Sequence, residues 1–144
     1  MTDEQAILET LEEYAAAYCT KDIERQMAIF DDGDDISVIG TGTDELCAGR
    51  ADIQTLFLRN FSSATATKFQ WYWKNVTLRD GCAVVAVSLT IHLDTNEGPI
   101  QVPVRWTVSL VNKDGKWKWL HRHASAAAGS QEEGNAYPVA SSGD

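Results

Sequence analysis

The chain has 144 residues, 44% of them hydrophobic and 23% charged, and a formal net charge of −9. This size and composition fit one soluble domain with a single core. The acidity argues against nucleic acid and anionic membranes as partners, because both demand a cationic footprint, and no apolar run approaches the roughly 18–20 residues of a membrane span.

The opening MTDEQAILE is acidic and does not resemble a signal peptide. Residues 3–19 carry Ala6, Ile7, Leu11, Tyr14, Ala15 and Tyr18 at helical spacing, which predicts a helix that Thr2 or Asp3 can cap. A second short helix is expected over 21–30, with Ile23, Met27 and Phe30 inward, ending at DDGDD, which reads as a solvated turn. A short strand follows at 36–39, then the polar loop GTGTDE, then a third helix in RADIQTLFLRNF that buries Ile53, Leu56, Phe57 and Phe61. GTGTDE lacks the lysine of a phosphate-binding loop.

From Thr67 the apolar period changes from helical to alternating. Four strands are expected at 67–79, 82–93, 100–112 and 116–125, with RDGC and NKDGK carrying the Asp-Gly signal of tight hairpins. Residues 126–144 form a small, polar tail expected to be partly disordered. Helices first and a meander afterwards indicate α+β architecture, with residues 1–125 as one domain: a curved antiparallel sheet with three N-terminal helices on its concave face. Cys19, Cys47 and Cys82 are odd in number and widely spaced, as suits free thiols in a reducing cytoplasm.

NKDGK fits a bulged turn that sets Asn112 opposite Lys116, Thr107 opposite His121 and Arg105 opposite His123. One face then carries Arg105, Thr107, Ser109, Trp117, Trp119, His121 and His123, and the other carries Val104, Trp106, Val108, Leu110, Leu120 and Arg122. A two-residue turn would change this pairing. On β-strand alternation Trp71 and Trp73 also share a face. His121 and His123 lie roughly 6.5–7 Å apart along their strand, but a metal site needs a third protein ligand. The acids between residues 64 and 125, namely Asp80, Asp94, Glu97 and Asp114, all fall in expected turns or loops. No metal and no cofactor is expected.

EEYAAAYCTKDIERQMAIF, CAGRADIQTLF and above all VRWTVSLVNKDGKWKWLHRHAS resemble the SnoaL-like group of the nuclear transport factor 2-like superfamily. The ending is similar to the association domain of calcium/calmodulin-dependent kinase II. The resemblance implies a cone-shaped, cystatin-like fold, a pocket between the helices and the concave sheet, and homodimers through the outer sheet face. Ketosteroid isomerase, which shares the fold, uses a tyrosine that Tyr14 matches. Its two aspartates fall near Ile39–Gly40 and Thr107–Val108, where this chain has no acid, so that route of proton abstraction is not expected.

The expected ligand-binding residues are Tyr14, Tyr18, Phe57, Phe61, Trp106 and Arg122, around a mostly apolar pocket for a small apolar or carboxylate-bearing molecule. Arg122 is the sharpest pointer, because an inward guanidinium is costly to bury without an anion. Arg105, His121 and His123 are expected to serve a homodimer contact. Two functions follow. One is small-molecule binding, with isomerase, dehydratase or cyclase-type chemistry unassigned; the other is an oligomerisation module without catalysis. A cavity of roughly 300 Å³ with Arg122 inside favours the first, and a filled cone favours the second.

Overall fold

The structure, a computed structural model, describes residues 1–140. In chain order it contains α1 (Asp3–Cys19), α2 (Ile23–Ala28), β1 (Ser37–Ile39), β2 (Leu46–Ala48), α3 (Arg50–Ser63), β3 (Thr65–Arg79), β4 (Cys82–Thr95), β5 (Gly98–Lys113) and β6 (Lys116–Ser125). The six strands form one sheet in the order β2-β1-β6-β5-β4-β3. Pairing is antiparallel except between β1 and β6, which run parallel. The architecture is α+β, a curved sheet with helices packed on its concave face.

Local chemistry explains the element boundaries. The Thr2 hydroxyl accepts from the Gln5 amide at 3.1 Å while the Gln5 side chain accepts from the Thr2 amide at 2.8 Å, a reciprocal cap for α1. Asp22 accepts from the Arg25 amide to start α2. Arg50 donates to the Asp31 and Met27 carbonyls at 2.7 and 3.1 Å, tying the start of α3 to the end of α2. The DDGDD turn is exposed at Asp32, Asp34 and Asp35, as expected, but not at Asp31. Asp31 is only 6% exposed, paired with Lys113 at 2.7 Å and accepting from the Gly33 amide.

The β5–β6 hairpin departs from the expected register. Lys113 pairs with Lys116, so the turn is the two residues Asp114 and Gly115, both at positive φ (54° and 88°). That backbone matches the right-handed twist of the strands, and aspartate and glycine tolerate it best. The extra residue lies inside β6 instead: Leu110 pairs with Trp119 and Ser109 with His121, leaving Leu120 without a partner. Thr107 therefore faces His123, and Arg105 faces Ser125.

This bulge switches the side on which β6 points its side chains. Trp117 and Trp119, expected on the outer face, are buried, whereas His121 and His123 beyond the bulge point outward with Arg105 and Thr107. Each tryptophan is fastened to α1, Trp117 Nε1 to Asp3 at 3.3 Å and Trp119 Nε1 to Thr10 Oγ1 at 2.8 Å. Burying two indoles favours the arrangement that turns them inward.

A second bulge corrects the expectation for β3. Trp71 pairs with Leu89 and Lys74 with Val87, so Tyr72 and Trp73 together oppose Ser88, whose hydroxyl accepts from the Trp73 amide. Trp71 packs inward against Phe69 and Trp106, while Trp73 is 61% exposed. The short strand β2 had no alternating signal in the sequence.

Beyond β6, residues 126–140 are turns and irregular chain, nearly all exposed. The disorder expected for the last few residues falls on 141–144, outside the described residues. Among the described residues no helix is long and apolar enough to cross a membrane.

Candidate functional site

The helical stripe of α1 sets Tyr14 against the concave sheet, where it becomes the hub of an aromatic cluster. Its ring stacks on Trp119 with centroids 5.0 Å apart and meets Trp106 edge-on at 4.9 Å, with Tyr18, Phe57 and Phe69 about it. Tyr14 and Trp106 are almost wholly buried. Edge-to-face and offset contacts of this kind favour one ring arrangement over others.

Arg122 reaches this cluster from β6. It pairs with Val108 across the β5 ladder and with Val38 across β1, and it is 8% exposed. Its guanidinium carbon lies over Trp106, 5.4 Å from the ring centroid, and Nη1 donates to the Tyr14 hydroxyl at 3.3 Å. Nε is buried without a hydrogen-bond partner. Among the described residues no carboxylate pairs with this cation. A neutral phenol oxygen and an indole face are weak company for a buried charge.

Beside them opens a cavity of about 220 Å³. Its lining joins Arg122, Trp106, Tyr14 and Tyr18 with aliphatic side chains of β4 and β5 (Ile91, Val102), with Gly40, Thr41 and Glu45 of the β1–β2 loop, and with Asn60 of α3. Burial pushes the Tyr14 phenol up, opposed by the Arg122 charge. Burial first, and then Tyr14, push Tyr18 up as well. Both are therefore neutral hydroxyls across the physiological range, able to donate to an acceptor.

Of the residues expected at a pocket, Tyr14, Tyr18, Trp106 and Arg122 come together on the cavity wall. Phe57 and Phe61 do not line it. Phe57 meets Tyr14 and Tyr18 edge-on, and Phe61 meets Tyr18 at 5.2 Å. The sequence reading missed Glu45 and Asn60 altogether. Their signal was faint: a carboxylate in a loop that otherwise reads as polar connection, and an asparagine on the face of α3 beside Phe57 and Phe61.

The histidines stand on the outer face. His121 Nδ1 lies 2.8 Å from Ser37 Oγ and 3.2 Å from the Ser37 carbonyl, and the two imidazoles sit edge-to-face at 6.2 Å. Among the described residues no three His, Cys, Asp or Glu side chains gather in a metal-holding group. A wider groove of about 350 Å³ lies between α1, α2 and the β5–β6 turn, but its cation Arg25 is already bound to Glu13 at 2.9 Å and Lys118 to the Ala28 carbonyl at 2.7 Å. The smaller cavity is the better candidate, because among the described residues only there does a buried cation lack an anion.

The sequence model of the SnoaL-like domain matches residues 7–129. The chain belongs to the SnoaL-like family. Its fold is shared with solved structures at low identity. A candidate calcium/calmodulin-dependent kinase II association domain from Xanthomonas campestris is 23% identical, with a TM-score of 0.78 over 90% of this chain and 91% of that one. A candidate dehydratase of the NTF2-like family from Streptomyces avermitilis is 14% identical, with a TM-score of 0.74 over 88% and 97%. A Nostoc punctiforme protein of unknown function with a cystatin-like fold is 16% identical, with a TM-score of 0.70 over 85% and 90%. No curated protein matches this SnoaL-like chain.

Proposed function

We propose that this SnoaL-like protein binds a small organic molecule in the cavity, with an anionic or carbonyl oxygen of the ligand against Arg122 and Tyr14. The observation that carries the reading is the buried guanidinium whose Nε has no partner and which, among the described residues, no carboxylate neutralises. Retaining such a charge costs stability unless something binds it. At about 220 Å³ the cavity falls below the roughly 300 Å³ at which drug-sized sites begin, so the guest is small, of the order of one ring. Isomerase, dehydratase or cyclase-type turnover is compatible with neutral hydroxyls beside a cation, which would stabilise charge developing on an oxygen. The name of the Streptomyces protein makes dehydration a reaction to assay.

Titration calorimetry with benzoate and phenylacetate tests the binding. Both should bind the wild-type chain, and Arg122→Met should weaken them about tenfold or more, as loss of a charged hydrogen bond predicts. No binding by either acid, or equal binding by the variant, overturns the reading.

The second reading is an oligomerisation module, supported by the likeness to the Xanthomonas association domain. Its surface would be the outer sheet face around Arg105, His121 and His123, where Tyr72 and Trp73 are 56% and 61% exposed. A homodimer through this face is compatible with either function.

A further inference from the structure

The β1–β2 loop that lines the cavity carries a second polar group whose setting narrows the ligand class, on the basis of the binding reading above. Gly40 donates its amide to the Glu45 carbonyl at 2.9 Å, and Glu45 donates to the Gly42 carbonyl at 3.1 Å, folding residues 40–45 into a tight turn. Glu45 is thereby laid across Gly40. A Cβ built at position 40 would collide with the Glu45 carboxylate and approach its Cβ to 3.0 Å. Glycine at 40 leaves room for that side chain, and both residues line the cavity.

The carboxylate is fixed from behind. Arg59 of α3 binds Glu45 Oε2 through Nη2 at 3.0 Å and Asp44 through Nη1 at 2.8 Å. Glu45 Oε1 has no hydrogen-bond partner among the described residues, although the side chain is only 19% exposed. Tyr18 lines the same cavity as Arg122 and Glu45. The cavity lining thus joins a cation bound to Tyr14, a carboxylate held by Arg59 and aliphatic side chains.

We infer that the ligand has two poles: an anionic or carbonyl oxygen for Arg122, and a hydrogen-bond donor, either hydroxyl or ammonium, for Glu45 Oε1, joined by an apolar frame. A guest with only the first pole leaves the Glu45 oxygen covered and unsatisfied, which costs binding energy; a guest with both satisfies it. Glu45 is then the residue that selects among small acids.

The test compares matched acids by calorimetry on the full chain. Benzoate is set against para-hydroxybenzoate and para-(aminomethyl)benzoate, and phenylacetate against para-hydroxyphenylacetate. At least one donor-bearing acid should bind about tenfold tighter than its match, and the successful arm tells hydroxyl from ammonium. Glu45→Met, which keeps length but removes the acceptor, should abolish that advantage and tighten the donor-free acid. Gly40→Ala, which evicts the carboxylate, should abolish it as well and serves if the first variant does not fold. If every pair agrees within about threefold on the wild type, or the advantage survives in a folded variant, the two-pole inference is overturned while simple acid binding stands. If the donor-free acids do not bind at all, the underlying reading fails first.

Discussion

Arg122 sets the energetic question at the level of single residues. Its guanidinium donates to a phenol oxygen and lies over an indole face, and its Nε is orphaned. Replacing buried ionic groups by apolar side chains of similar volume is often neutral or stabilising. Arg122→Met should therefore leave unfolding free energy unchanged or raise it, by roughly 1–4 kcal/mol, in urea titration. A clear loss of stability would show that the guanidinium serves packing. His121 gives a pH dependence of known sign. Burial first, with the nearby His123 and Arg122 charges, lowers its pKa below the ordinary 6.5, against a hydrogen bond with Ser37 that raises it. A base whose folded pKa is depressed contributes fully above the unfolded value, and stability falls as pH drops from about 6.5 through the folded pKa. The thermal midpoint of the wild type should fall over that window more than that of His121→Asn.

The helices and long strands were legible because their apolar periods are long and their punctuation is strong. Residues 3–19 were read to the residue, and third-helix positions Ile53, Leu56, Phe57 and Phe61 are all buried. The sides of β6 and β3 were half legible. Strict alternation fails at Leu120 and at Tyr72–Trp73, where one extra residue reverses it. A bulge has no residue signature of its own; here the indoles of Trp117 and Trp119, seeking α1, decide where it falls. Arg122 was placed inside correctly because it lies beyond the bulge, on the side where expected and observed parity agree. Glu45 was invisible because its place depends on a loop fold that brings it over Gly40. Deleting Leu120 tests the role of the bulge. Without that residue Trp119 and His121 are successive, so plain alternation keeps the tryptophans and Arg122 inside and the histidines outside, and the deletion should leave thermal unfolding cooperative. Leu120→Ala, which keeps the count, should lower the midpoint only modestly.

For the whole molecule, the distribution of charge separates two surfaces. The chain carries a net charge of −9, yet the strand residues that point outward beside His121 and His123 (Arg105, Thr107, Ser109, Val84, Asn75) include no carboxylate, and Trp73 is largely bare there. A two-fold pair of identical patches avoids like-charge conflict only if the patch itself is free of charge excess. Sedimentation velocity should give a dimer for the wild type, and Trp73→Glu should shift it to monomer without changing the far-ultraviolet circular dichroism spectrum. A wild-type monomer at tens of micromolar would remove the outer face from consideration as an interface.

Positions 40 and 45 share one volume, and that has a consequence for how such chains can diverge. A side chain can return to 40 only if the one at 45 shortens or swings away, so the two sites exchange bulk as a pair. Relatives with a larger residue at the first site should carry a truncated one at the second, and single replacements at either should be rarer than the double exchange.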